Sequence, residues 1–140
     1  MNYGAIAFDA DVLIYSAQPQ HQLGKPINQL LARTTAELRL IGSVLLLPEL
    51  LIKRQRRRND NELALLAKRL SRLELLPVDQ PTAELATALG ATYSLRSLDA
   101  LHLATAVHGR ADRFITNNRK DFVPDEIVEL EVVYPDQLLL

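Results

Sequence analysis

Apolar positions fall along this chain in short runs separated by stretches with helical spacing. Ala5-Ile6-Ala7-Phe8 is a four-residue apolar run closed by Asp9, and it reads as a buried strand. Val12-Leu13-Ile14-Tyr15 follows as a helix. From Ile27 to Leu40, apolar Ile27, Leu30, Leu31 and Leu38 predict a helix that stops at Gly42. Ser43 to Leu47 predicts a second buried strand, and Pro48 then suits the first turn of another helix, which places Glu49 in that turn. This basic helix, from Glu49 to about Arg57, breaks at Asn59-Asp60-Asn61. Those residues offer caps for the next helix, with Leu63, Leu66, Leu70 and Leu73 at spacings of three and four.

Beyond it, Leu75 to Val78 predicts a short strand, Thr82 to Leu89 a helix ended by Gly90, and Ser97 the cap of a helix running through Val107. Phe114-Ile115-Thr116 and Val128 to Val133 complete the strands. Short strands alternating with helices predict an α/β fold with a parallel sheet covered on both faces. No linker, repeat or low-complexity segment interrupts the pattern, so residues 1–140 are expected to form a single domain.

Composition narrows the function classes. The 140 residues contain no cysteine, which removes disulfides and thiolate zinc sites and suits a reducing cytoplasm. No apolar run approaches the ~18 residues of a membrane span, and the first residues lack the pattern of an export signal. The net charge of −1 gives no global attraction for a polyanion. Half of the sixteen basic residues nevertheless cluster at Lys53, Arg54, Arg56, Arg57, Arg58, Lys68, Arg69 and Arg72, while the tail is acidic. Such polarity can place a basic face over a phosphate backbone, or simply form a solvated helix face.

The candidate chemistry lies in isolated acids. Asp9 and Asn118 directly follow predicted strands and Glu49 opens the helix after the second, so all three belong at the carboxyl edge of a parallel sheet, where open α/β folds bind ligands. Asp99 heads a helix that is apolar except for Asp99, His102 and Thr105. Carboxylates beside buried elements need a cation, a shared proton or hydrogen bonds, so their convergence points to a hard-cation site. Local roles are also available: Asp9 and Asp11 as helix caps, Asp99 as a complement to the helix dipole, and His102 as a ligand or a hydrogen-bonded core residue.

Four segments carry a family resemblance. Ala7-Phe8-Asp9-Ala10-Asp11-Val12-Leu13-Ile14-Tyr15, Pro48-Glu49-Leu50-Leu51, Leu95-Arg96-Ser97-Leu98-Asp99-Ala100-Leu101-His102-Leu103-Ala104-Thr105-Ala106 and Phe114-Ile115-Thr116-Asn117-Asn118-Arg119-Lys120-Asp121-Phe122 resemble, in order, the four motifs of PIN-domain ribonucleases. The resemblance implies a three-layer α/β/α sandwich with a short, mostly parallel central sheet. It also implies a Mg²⁺- or Mn²⁺-dependent endoribonuclease, most often the toxin of a VapBC-type toxin–antitoxin pair. Asp9, Glu49 and Asp99 then become the metal-holding acids. An acid is common where this chain has Asn118; Asn118 still offers a neutral carbonyl oxygen, the nearby Asp121 could restore the charge through water, and with neither the site holds three acids and binds metal more weakly.

Both ions take oxygen ligands, and Mg²⁺ keeps several waters. A bound water attacks phosphorus, with Glu49 the first candidate to orient it or accept its proton. Arg54, Arg57 and Arg119 are candidates to pair with RNA phosphates. An antitoxin protein and a second copy of the chain are the expected partners, for which leucines such as Leu138-Leu139-Leu140 could supply surface. Two other readings compete. A degenerate PIN-like module would bind RNA or protein without cutting, and the Asp9-x-Asp11 pair also resembles haloacid-dehalogenase-type phosphatases, with Asp9 as nucleophile and Asp11 as acid/base.

Overall fold

The computed structural model describes residues 4–33 and 38–138. Strand β1 (Gly4–Phe8) runs into Asp9, whose extended backbone and side chain cap helix α1 (Ala10–Ser16). Helix α2 (Gly24–Leu31) precedes strand β2 (Leu38–Ser43), helix α3 (Leu46–Arg56) and helix α4 (Asp60–Leu70). Strand β3 (Glu74–Leu76) leads to the paired helices α5 (Gln80–Tyr93) and α6 (Ser97–His108), and strands β4 (Arg113–Ile115) and β5 (Glu131–Val133) close the chain before a 3-10 turn at Pro135–Gln137.

The five strands form one sheet in the order β3-β2-β1-β4-β5, and every neighbouring pair is parallel. Alternate residues of each strand enter different cores. Ile6, Phe8, Leu40, Ile115 and Val133 face the layer that contains Leu13, Ile27, Leu50 and Leu66 of α1 to α4. Ala7, Ile41, Phe114 and Val132 face the layer of Ala86, Leu89, Leu103 and Ala104 from α5 and α6. The result is a three-layer α/β/α sandwich. Because both faces of the sheet are covered, β1 reads as an unbroken apolar run, and the exposed charges of the other strands, Arg39, Glu74, Arg113 and Glu131, fall at or near their starts. No helix of the described residues is long and apolar enough to cross a membrane.

Several boundaries depart from the sequence pattern. The helix expected over Ile27 to Leu40 ends at Leu31; residues 34–37 lie outside the described residues, and Leu38 already belongs to β2. Gly42 therefore sits in a strand and does not stop a helix. A side chain there would put its Cβ 2.6 Å from Leu46 Cδ1, so glycine lets α3 pack close to the sheet. The strand expected over Ser43 to Leu47 holds only Ser43. The Ser43 hydroxyl accepts from the Leu45 amide at 3.1 Å, turning the chain, and Leu46 and Leu50 become buried one helical turn apart. An apolar run of this length is compatible with either element, and its packing decides.

The remaining shifts are smaller. Helix α5 passes through Gly90 and ends at left-handed Ser94, φ 56°, while Ser97 is the first residue of α6 and Arg96 its cap position. The strands expected at Leu75–Val78 and Phe114–Thr116 each begin one residue earlier, at Glu74–Leu76 and Arg113–Ile115, and that expected at Val128–Val133 contracts to Glu131–Val133, leaving Val128 exposed. Leu138 packs against the α1–α4 core, whereas Leu139 and Leu140 lie outside the described residues.

Candidate active site

Parallel strands deliver their following residues to one edge, and the acids gather there. Asp9 leaves β1 beside β4, donating its backbone N–H to Ile115 O at 2.9 Å. Its carboxylate is only 5% exposed; one oxygen accepts from the Ala10 amide and the other from the Thr116 hydroxyl, both at 2.8 Å. Asp11 accepts from the Val12 amide at 2.8 Å and the Asn117 amide at 3.0 Å, and Asn117 in turn donates to the Tyr15 hydroxyl. The segments after β1 and β4 are thus laced together. Asn118 and Asp121 cap one another: the Asn118 side-chain amide donates to Asp121 Oδ2 at 3.0 Å, and the Asp121 amide donates to Asn118 Oδ1 at 3.3 Å.

Two further elements complete the edge. Glu49, in the first turn of α3, meets His102 of α6 with 2.8 Å between Oε2 and Nε2. His102 is 2% exposed, a buried histidine held through Nε2, and its Nδ1 has no hydrogen-bond partner among the described residues. Asp99, one turn earlier on α6, lies near the Arg96 guanidinium, with 3.8 Å from its Oδ2 to Nε. Asp121 Oδ2 stands 4.0 Å from the same guanidinium.

The groups act on one another electrically. Burial raises the Asp9 pKa above the usual carboxylate range, partly opposed by His102, Thr116 and Ala10, with Glu49 adding to the rise. Burial and the neighbouring Asp9 push Asp11 up to about 7. Asp99 is raised by burial and by Asp9, with Asp121 adding and Arg96 and His102 opposing. Burial works against a charged His102, but its bond to Glu49 and the charges of Asp9, Glu49 and Asp99 prevail and raise its pKa. Carboxylates that hinder each other's ionisation form a pocket short of positive charge.

Among the described residues, no three His, Asp or Glu groups converge into a ready-made metal cage. The donor set still fits a hard divalent cation. It is all oxygen at the acids, and each Asp9 oxygen accepts one hydrogen bond and keeps a lone pair. Mg²⁺ is commonly held by one or two carboxylates plus waters, which an open acidic edge accommodates.

The basic residues divide. Arg54 donates to Glu62 at 3.1 Å and is 16% exposed, with its guanidinium also on Leu50 O. Arg119 bonds Asn117 Oδ1 and Asp136 and covers the Tyr134 ring at 4.3 Å. Arg57 is exposed and lines an open groove of about 830 Å³ with Ile14, Glu49, Ile52, Lys53, Arg54 and Arg56. Another cavity, of about 450 Å³, lies at the far end of α6 around Arg39, Thr82 and His108 and contains none of the edge acids. Thr116, Asn117 and Arg96 escaped the sequence reading. A hydroxyl or amide beside an acid that lies a hundred residues away leaves no local signal, although Arg96 does stand three positions before Asp99.

Comparison with known proteins gives a consistent picture. The PIN domain family model matches residues 6–123. No curated protein gives a significant sequence match. Among solved structures, a chain of a toxin-antitoxin complex from Klebsiella pneumoniae is 26% identical, with 93% of this chain and 97% of that one covered and a TM-score of 0.70. A chain of VapBC2 from Rickettsia felis, bound to a promoter DNA fragment, is 19% identical over 93% and 98%, TM-score 0.73. A chain of VapBC-1 from nontypeable Haemophilus influenzae is 17% identical over 94% and 98%, TM-score 0.72. The last two share the fold.

Proposed function

We propose, from the premise that this chain belongs to the PIN domain family, that it is a metal-dependent endoribonuclease and the toxin half of a toxin–antitoxin pair. The observation that carries the reading is the concentration of Asp9, Asp11, Glu49, Asp99 and Asp121 at one sheet edge, each of the aspartates at 9, 11 and 99 raised in pKa by burial and by its neighbours. Such a pocket is stabilised by a cation.

Asp9, Asp99 and Glu49 would hold Mg²⁺ or Mn²⁺, which when bound supplies an acidified water and positive charge against the reacting phosphate. The chain does the rest. Ala10 and Thr116 fix the Asp9 carboxylate, so little reorganisation is left for the reaction. Asp11 binds the Asn117 amide and thereby sets the loop that carries Asn118 and Asp121. His102 orients one Glu49 oxygen, leaving that carboxylate the first candidate to accept the proton of the attacking water. Arg57, with Lys53 and Arg56, lines the groove that reaches Glu49 and receives the RNA backbone. Arg54 and Arg119, already held by Glu62 and Asp136, lend charge from the rim.

The antitoxin proposal rests on the likeness to the Klebsiella pneumoniae toxin-antitoxin complex. A second copy of the chain is the other proposed partner, with exposed Leu47 and Leu98 as apolar contacts, and the cysteine-free sequence suits the cytoplasm.

The test is cleavage of labelled RNA by the purified chain with Mg²⁺ or Mn²⁺, with excess chelator, and with Asp9→Asn or Asp99→Asn. Cleavage that needs the ion and both acids is the expected result. RNA binding without cleavage at any ion concentration would identify a degenerate binding module, a reading that Asn118 and the unclosed cage keep in view. Phosphate release from a simple monoester, with RNA intact, would identify a phosphatase.

A further inference from the structure

Arg96 lies beside two acids of the edge without being fastened to either. It occupies the cap position of α6, its side chain is 85% exposed, and its guanidinium lies 3.8 Å from Asp99 and 4.0 Å from Asp121 without a hydrogen bond to either. Arg54 and Arg119, by contrast, are each fastened by shorter charged hydrogen bonds. Both of the carboxylates that attract Arg96 are largely buried, at 18% and 20% exposed, and Asp121 is held by Asn118, while the arginine stands in solvent. The exposed partner of this trio is the cation, and no hydrogen bond fixes its guanidinium to either acid.

We propose, resting on the nuclease reading above, that Arg96 is a substrate-binding residue which exchanges partners: it neutralises Asp99 and Asp121 in the empty site, and it binds an RNA phosphate once a divalent cation shares those acids. A dication beside Asp99 repels a guanidinium a few ångströms away, and the repulsion is strong because the acids sit at a partly desolvated surface. The displaced fork stays tethered at the lip, where its five N–H donors match phosphate oxygens. The exchange gives Arg96 opposite effects on the two ligands, hindering the ion and helping the RNA.

That opposition is the test. Mn²⁺ affinity is measured by titration calorimetry on the full chain. Affinity for a labelled single-stranded RNA is measured by anisotropy in Ca²⁺ across a salt series, and KM and kcat are measured in Mn²⁺. Arg96→Ala is expected to tighten Mn²⁺ binding by roughly 3- to 10-fold. It is expected to weaken RNA binding by about 10-fold, to flatten the salt slope by about 0.7, and to raise KM more than it lowers kcat. Arg96→Lys should return Mn²⁺ affinity towards wild type and RNA affinity only in part, since it restores charge without the fork. A purely structural role would weaken both ligands together, and that result, or no change in either, would overturn the exchange. Wild-type protein that takes up Mn²⁺ and binds no RNA would overturn the nuclease reading and this inference with it.

Discussion

The Nε2 atom of His102 lies 2.8 Å from Oε2 of Glu49, joining residues that are 53 positions apart across two helices. The imidazole is buried and the carboxylate partly solvated. Removing either partner therefore leaves a polar group short of a bond. His102→Ala should destabilise the protein by roughly 1–3 kcal/mol, with a coupling to Glu49→Gln above about 0.5 kcal/mol in a double-mutant cycle. Urea unfolding of the four proteins checks this, and strictly additive effects would show that the contact contributes nothing.

Stability of the ion-free protein should fall as pH rises from about 4 through 7. Asp11 has a folded pKa of about 7 against a usual 3.8, and Asp9 and Asp99 are raised in the same direction, so across that window the folded chain holds protons that the unfolded chain has lost. Acids raised in this way stabilise the fold most below the unfolded pKa and lose that contribution as pH climbs through the folded one. His102, also raised, adds a loss above about 6.5. These contributions share one sign, and Mn²⁺ should raise the Tm more at pH 7.5 than at pH 5. Thermal melts with chelator and with Mn²⁺ at both pH values measure it; an ion-free Tm that is flat or rising between pH 4 and 7 would contradict the raised acids.

Asp9→Asn should separate activity from stability. The amide oxygen can still accept from Ala10, and the Thr116 hydroxyl can rotate to accept instead of donate. The buried charge disappears. Ion-free Tm at pH 7.5 is thus expected to rise, while RNA cleavage falls by more than about 100-fold. Loss of both together would mean that the Asp9 charge holds the fold.

Gly24 tests the packing of α1 against α2. An added Cβ would lie 2.2 Å from the Tyr15 carbonyl oxygen and 2.7 Å from its carbon, backbone atoms that cannot swing aside. Gly24→Ala should cost about 2 kcal/mol or more by forcing the helices apart. Its denaturant midpoint, compared with that of an exposed control such as Lys25→Ala, gives the answer.

The legible parts of this molecule are those whose physics is local. Asp9 after a run of four apolar residues, Glu49 after Pro48, and the acid at the head of an apolar helix each announce an edge position without reference to the rest of the chain. The boundary of β2 was not legible, because Leu38, Leu40 and Ile41 satisfy helical and strand spacing alike, and only pairing between β1 and β3 chooses the strand. Gly42 and Gly90 look like helix stops in sequence but mark close approaches to Leu46 and Ala100. Arg54 and Arg119 look like free cations, since nothing in sequence shows that Glu62 and Asp136 reach them.

The bond from Thr116 to Asp9 spans 107 residues, and the Asn117 bond to Asp11 spans 106. A ribosome must therefore have passed residue 117 before the first strand finds its last neighbours at the edge. Until β4 emerges and docks, the amino-terminal acids lack the hydroxyl and amide that hold them. A product that stops short of residues 113–117 has no assembled edge, because Asp9 and Asp11 then lack the Thr116 hydroxyl and the Asn117 amide that hold them.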